Sequence, residues 1–251
     1  MAAVSPHGLQ YDHTIIDLSN KPQEFLDKYS LAVNRGSFAK VPLLEHGDTL
    51  ITESIEVTKY IGQTLAPELL GGDADPDRMY PLKDTKKRQL VDQFIDVWEN
   101  EVTTSYYDCL TSTSEKSASV AQRRFTKALK TYVRPILLES REILLQESDG
   151  DEYSNDCEAF LLGRTFSVAE CVAAPWVQRF HFVLHHFRGI DFRRDVLEEC
   201  DDDGSPVLQQ WMEAVLNRPS VQSTICPHKE MAAAAMRYYV SYVSPGAPAS
   251  Q

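Results

Sequence analysis

The hydrophobic pattern of this chain changes period once, across a stretch suited to neither helix nor strand. Residues 66–84, APELLGGDADPDRMYPLKD, are rich in Pro, Gly and Asp and show no periodicity, the signature of a linker between domains. Before the linker, apolar residues come in short runs. TIIDL (14–18) is β-branched and reads as a buried strand, and QEFLDKYSLAV (23–33) as a short helical or irregular connection. VPLLEH and DTLIT read as two strands joined through Gly47-Asp48, a hairpin signal. From Ser54 onward, Val57, Tyr60, Ile61 and Leu65 recur at helical spacing. After the linker the pattern is helical throughout. Leu90, Phe94, Trp98 and Val102, with Val91 and Ile95 beside them, form one apolar stripe. Phe125, Leu129, Tyr132, Val133, Ile136 and Leu137 form a second, with a kink expected where Pro135 removes a donor. Leu208, Trp211, Met212, Val215 and Leu216 form a third, and MAAAAMRYYVSYV (231–243) is helix-competent. The fold class is therefore α+β in two domains: a small α/β unit over 1–65, the linker 66–84, an all-helical domain over 85–243 and a disordered tail at 244–251.

Charge narrows the partners. The chain of 251 residues carries 37 acids against 25 bases, a formal net charge of -12. Nucleic acid is not expected, because phosphate binding needs a basic face that releases counterions. A small anionic ligand held by one or two local cations remains compatible. No run approaches the ~20 apolar residues of a membrane span, and no membrane partner is expected. MAAVSPHGLQYDH lacks the basic start and apolar stretch of a secretory signal. Five cysteines at irregular spacings read as reduced thiols. The expectation is a soluble cytoplasmic protein.

Several residues carry a chemical reading beside a structural one. Pro42 either starts a strand or forms a cis Val-Pro bond that turns the backbone of Val41 outward toward a ligand. Glu53 and Ser54 either cap the following helix or bind a zwitterion, the hydroxyl and free amides taking a carboxylate and Glu53 an ammonium. Ser167 and Glu170 fit a capping box, with Phe166 and Cys171 at the staple positions. His181 and His185 stand at i, i+4, but no third ligand lies at a supporting spacing, so a structural role is expected and no metal. ESDGDEYSND (147–156) reads as a solvated acidic loop.

Taken together, KVPLLEHGDTLITESIEVTKYI (40–61) closely resembles the Val-Pro to Glu-Ser signature of the glutathione transferases, nearest to the Cys-type lambda and omega classes. IIDLSNKP resembles the strand and Asn-Lys-Pro turn that precede it in those classes. The linker, FLLGRTFSVAE and LNRPSV match the family's all-helical second domain, so the resemblance covers roughly residues 9–226. It implies a thioredoxin-like first domain that binds glutathione as co-substrate, with no metal. Val41 would pair its backbone with the cysteinyl part, displayed by a cis Pro42; Glu53 and Ser54 would hold the γ-glutamyl end; Lys21 would fix the tripeptide near its thiol or glycyl carboxylate. The implied chemistry is thiol transfer, reductive removal of glutathione from an adduct, or conjugation. The partner would be a small electrophile or mixed disulfide packed on the helical domain, in a monomer or homodimer. The alternative is a transferase-fold module that binds glutathione or a protein partner without catalysis.

One departure separates this chain from the family pattern. Only about ten residues precede YDHTIIDL, where the family's first strand and first helix belong, and MAAVSPHGLQ reads as the tail end of that helix. The catalytic cysteine of a Cys-Pro motif is therefore expected before residue 1, and the first domain is expected to be incomplete. Ser5 comes too late in that helix to substitute. Cys226-Pro227-His228 imitates the motif in letters but follows a helix, not a strand, and reads as incidental. Cys109, Cys157, Cys171 and Cys200 read as ordinary core or surface thiols.

Overall fold

The computed structural model describes residues 2–4, 10–33, 38–66, 79–147 and 159–239. Ser5, Cys157, the centre of the linker, all but the first residue of the acidic loop and the tail at 244–251 lie outside the described residues. The chain divides into two compact units, Met1–Asp84 and Thr85–Gln251.

The first unit holds two small antiparallel sheets. Strand β1 (Ala2–Val4) pairs with β2 (Gln10–Asp12), Ala3 standing opposite Tyr11. Two expectations fail here. Residues 2–4 are a strand and not a helix end; Pro6 and Gly8 follow in sequence, and both oppose helix. TIIDL is coil and not a buried strand, with Ile15 85% exposed. Its β-branched residues favour a strand only when a ladder partner and a packing face are available, and among the described residues no strand pairs with 14–18. Helix α1 (Gln23–Ala32) follows, burying Phe25 and Tyr29.

Strands β3 (Leu43–His46) and β4 (Thr49–Thr52) form the expected hairpin, with Leu43 opposite Thr52 and His46 opposite Thr49. Gly47 supplies the turn at φ 58°, a left-handed conformation that glycine adopts without a Cβ penalty. Helix α2 (Ser54–Tyr60) starts directly after β4 and continues as a wide π-turn over Ile61–Leu65. Side chains lock these pieces together. Lys28 Nζ on α1 donates to Glu45 on β3 at 3.0 Å, and a 2.8 Å hydrogen bond joins His46 Nδ1 to the Tyr60 hydroxyl.

The second unit is helical. A long helical run comprises α3 (Thr85–Val97), a π-turn over Trp98–Thr103 and α4 (Thr104–Thr111). A second comprises α5 (Glu115–Ala128), a π-turn over Leu129–Val133 and α6 (Arg134–Glu147). That π-turn lies just before Pro135, where the helix must accommodate a ring and a missing donor. Helix α7 (Val168–Arg188) is central and packs against α3, α4, α9 (Val207–Asn217) and α11 (His228–Tyr239). Between α7 and α9 lie a π-turn over Arg193–Leu197 and the short α8 (Glu198–Cys200); α10 (Pro219–Gln222) follows α9.

The predicted stripes build the core, apart from Tyr132, which is exposed, and Leu216, which is half-buried. Leu90, Val91, Phe94, Ile95, Trp98 and Val102 are all buried, as are Leu208, Trp211, Met212 and Val215. Trp98 stacks on Phe94 with centroids 5.4 Å apart and on Phe180 at 5.8 Å, and Trp211 meets its edge at 5.7 Å. Offset and edge-on ring pairs of this kind add to the energy of area burial.

Ser167 and Glu170 sit under this cluster, both with no exposed surface. Glu170 closes the predicted capping box at the start of α7 and extends it. Its Oε2 accepts from the Ser167 amide at 2.8 Å and the Ser167 hydroxyl at 2.6 Å; its Oε1 accepts from the Leu161 amide at 2.7 Å and Trp211 Nε1 at 3.0 Å. The Ser167 hydroxyl in turn accepts the Ala169 amide at 3.2 Å. Burying a carboxylate costs several kcal/mol unless such donors replace its water. Near the same loop, the Arg218 guanidinium beyond the end of α9 lies 4.0 Å over the Phe166 ring.

Cys109 and Cys200 are core thiols, and Cys171 on α7 is half-buried. Cys109, Cys171 and Cys200 each have their pKa pushed up to about 12, first by burial and then by a neighbouring acid.

Glu170→Ala strands two backbone amides, a hydroxyl and an indole N–H. It is expected to destabilise the helical unit by about 3–5 kcal/mol, read as a lower urea midpoint; Ser167→Ala should cost about 1 kcal/mol. N-ethylmaleimide applied to the native protein near neutral pH is expected to label Cys226 and to leave Cys109, Cys171 and Cys200 unmodified until urea is added, as read by peptide mass spectrometry.

Candidate functional site

The hairpin register creates the candidate site. The ladder ends with Leu43 opposite Thr52, so the next residues along the two strands are Pro42 and Glu53, then Val41 and Ser54. Four of the five predicted ligand-binding residues thus meet at one corner of the first unit. The Val41-Pro42 bond is cis. Val41 is 45% exposed, and Glu53 and Ser54 are exposed on the opposing side.

Glu53 has an unusual backbone. It stands at φ 67°, ψ 128°, and among the described residues it is the one non-glycine with positive φ. This conformation costs a residue with a Cβ on the order of 1–3 kcal/mol and persists only where the surroundings impose it. Here it turns the chain from strand into helix within one residue. Among the described residues neither side chain is used up in folding. Glu53 makes no side-chain cap bond to α2, and Ser54 takes part through its carbonyl, which accepts the Thr58 hydroxyl at 2.7 Å. A carboxylate and a hydroxyl are therefore available at a helix start, where amides also point outward.

Lys21 stands apart. It lies just ahead of α1, half-buried, after a turn in which the Ser19 amide and hydroxyl donate to Asp17 Oδ1 at 2.9 and 2.6 Å. No hydrogen bond or ion pair links Lys21 to the Glu53–Ser54 corner.

The helical unit contains a feature that the sequence reading did not identify. Tyr106 and Tyr107 on α4 both meet the Trp176 ring of α7 edge-on, with centroids 5.7 and 5.6 Å away. The Arg179 guanidinium lies 4.7 Å above the same indole. Beside them is a cavity of about 430 Å³, walled by Tyr106, Tyr107, Arg179, Val183, Cys226 and Met231 among others. The i, i+3 pair Trp176–Arg179 on one helix was the signal available, but Pro175 and the neighbouring apolar residues give it the look of core sequence.

Cys226 lies at that cavity and not in a nucleophile loop after a strand; its Sγ is 3.7 Å from the Pro227 carbonyl. His228 stacks on Phe182 at 4.1 Å, with His186 on the same ring at 5.6 Å, and His181 meets Phe192 edge-on at 4.8 Å. These histidines are aromatic packing partners. Among the described residues no group of three or more His, Cys, Asp or Glu is placed to hold a metal ion.

Comparison with known proteins connects the two units. The family model "Glutathione S-transferase, N-terminal domain" matches residues 1–63, and "Glutathione S-transferase, C-terminal domain" matches residues 86–214. Glutathione S-transferase L3 of Arabidopsis thaliana is 24% identical over 216 residues, covering 86% of this chain and 71% of that protein. The chloroplastic glutathione S-transferase L2 of the same plant is 23% identical over 198 residues, covering 79% of this chain and 51% of its own length, so the chain spans about half of that relative. Among solved structures, glutathione transferase Omega 3C from Trametes versicolor shares the fold at a TM-score of 0.59 with 18% identity, covering 90% of this chain and 79% of that one. Ure2p in complex with glutathione follows at 0.54 with 17% identity, covering 80% and 75%. With one model matched across the hairpin unit and the other across more than half of the chain in the helical unit, the protein belongs to the glutathione S-transferase family.

Proposed function

We propose that the corner formed by Val41, Pro42, Glu53 and Ser54 binds glutathione, and that the protein acts as a lambda- or omega-like thiol transferase or glutathione-adduct reductase. The observation that carries this reading is the hairpin register, which aligns an exposed backbone edge with an unused carboxylate and hydroxyl at a helix start. A γ-glutamyl group presents an ammonium and a carboxylate on one carbon. Glu53 complements the first charge, and Ser54 with the α2 amides complements the second. The Val41 backbone would then run alongside the cysteinyl part. Lys21 supplies a local cation for the thiolate or glycyl carboxylate on an otherwise acidic chain.

In the transfer reaction, glutathione thiolate attacks the mixed disulfide R–S–S–G at the glutathionyl sulfur. The products are R–SH, which takes up the proton, and glutathione disulfide. A second reading is favoured by one finding: Cys109 and Cys200 are buried and Cys171 is half-buried, with all three thiols pushed up to about 12, so none of them supplies a thiolate near neutral pH. On that reading the chain is a glutathione-binding module without turnover. Retention on glutathione-agarose together with turnover of a glutathionylated thiol supports the transferase; retention without turnover supports the module.

The double variant Glu53→Ala/Ser54→Ala is expected to lose retention on glutathione-agarose while its far-ultraviolet circular dichroism stays unchanged. Full retention would overturn the γ-glutamyl contact. Glu53→Gly tests the backbone separately. It relieves strain of about 1–3 kcal/mol against a glycine entropy cost of about 0.5–1 kcal/mol, so stability should hold or rise while glutathione retention falls.

A further inference from the structure

We propose that His46 and Tyr60 are positioning residues for the corner formed by Val41, Pro42, Glu53 and Ser54: together they clasp α2 against the hairpin and so set the direction in which Glu53 and Ser54 face. The clasp stands on the structure itself; that it serves glutathione rests on the binding reading above. Three observations converge. First, the partners join two points remote from the corner. His46 ends β3 beside the Gly47 turn and Tyr60 ends α2. His46 Nδ1 and the Tyr60 hydroxyl share a 2.8 Å hydrogen bond, and their rings stand edge-on with centroids 6.0 Å apart. Second, the lengths match. From Ser54 to Tyr60 a helix rises about 9 Å, and from Leu43 to His46 a strand advances about 10 Å, so α2 runs back along the hairpin from corner to tip. Third, α2 has little else to fix its tilt: Val57 is its one buried residue.

Without the clasp α2 is a lever hinged at one residue. That hinge is Glu53, held at φ 67°, a conformation that a residue with a Cβ leaves when its surroundings permit. The first helical bond, the Val57 amide donating to the Glu53 carbonyl at 3.0 Å, sits directly over it. A hydrogen bond at the free end of the lever therefore opposes a relaxation at the other end, where Glu53 and Ser54 follow the strand opposite Pro42 and Val41. Alternation along β3 makes the arrangement two-sided. Successive side chains of a strand face opposite ways; Glu45 accepts from Lys28 on α1 at 3.0 Å, and His46, the next residue, meets α2. The hairpin is thus tied to one helix on each face, and the tie to α2 leads back to the corner. His46 is exposed and Tyr60 half-buried, so the pair adds little to the core. What it supplies is direction, because a hydrogen bond weakens steeply when its angle is lost.

The test pairs amide hydrogen exchange with isothermal titration calorimetry of glutathione, both on the full chain. Tyr60→Phe keeps the ring and removes the hydroxyl. His46→Leu removes the ring nitrogen, and His46→Asn, the rescue, places an amide near the position of Nδ1. In Tyr60→Phe and in His46→Leu, exchange at the amides of residues 57–60 should quicken and Kd for glutathione should rise, each by about two- to tenfold, the worth of one neutral hydrogen bond. The double variant should be no weaker than either single change, since both break the same bond. His46→Asn should exchange and bind as the wild-type chain does. A purely structural contact would lower the urea midpoint and leave Kd of the folded protein unmoved. Unchanged exchange in Tyr60→Phe, losses that add in the double variant, or His46→Asn as impaired as His46→Leu would each overturn the clasp. Quickened exchange with an unaltered Kd would overturn its positioning role. A wild-type chain that takes up no glutathione overturns the binding reading instead, and the exchange rates still decide the clasp.

Discussion

The helical unit is organised around one buried carboxylate. Glu170 takes hydrogen bonds from the loop before α7, from the cap of α7 and from an indole on α9, so one side chain ties the start of α7 and the loop before it to a helix 41 residues away. Such a hub permits one arrangement of its donors and leaves every competing arrangement with unsatisfied polar groups. The contrast with Trp98 is instructive: its Nε1 is buried without a partner among the described residues, while the Trp211 Nε1 beside it is matched by Glu170. Aromatic packing alone holds Trp98; packing and a directional bond together hold Trp211.

That rigidity has consequences for the cavity. Helix α7 begins at the Glu170 cap and, about two turns on, presents Trp176 and Arg179. The pose of the guanidinium over the indole is inherited from a helix whose start is locked. The far wall comes from α11, whose first residue, His228, is stacked on Phe182 of α7. A cavity assembled from three helices thus refers back to one element.

Much of this was legible in the sequence, and for physical reasons. Long apolar stripes such as Leu90–Phe94–Trp98 admit one periodicity, and Ser167 with Glu170 at i+3 admits one local chemistry. Gly47 between two apolar runs marked the hairpin. TIIDL misled because strand propensity is realised only against a partner, which a local reading cannot supply. The short strand at Ala2–Val4 was missed because three residues of weak pattern reveal their structure only through pairing with Gln10–Asp12. The Tyr106–Trp176–Arg179 group was hidden for another reason: aromatic residues on helices are usually core, and only the packing of α4 against α7 shows that these border a space.

The place of the turn at Gly47-Asp48 has an effect beyond closing the hairpin. Side chains alternate between the faces of a strand, so a single residue inserted within β3 or β4 would invert the facing of everything between it and the end of that arm. A residue inserted in the turn itself can be taken up by a longer loop that leaves Leu43 opposite Thr52, so sequence drift is tolerated at the tip of the hairpin and not along its arms.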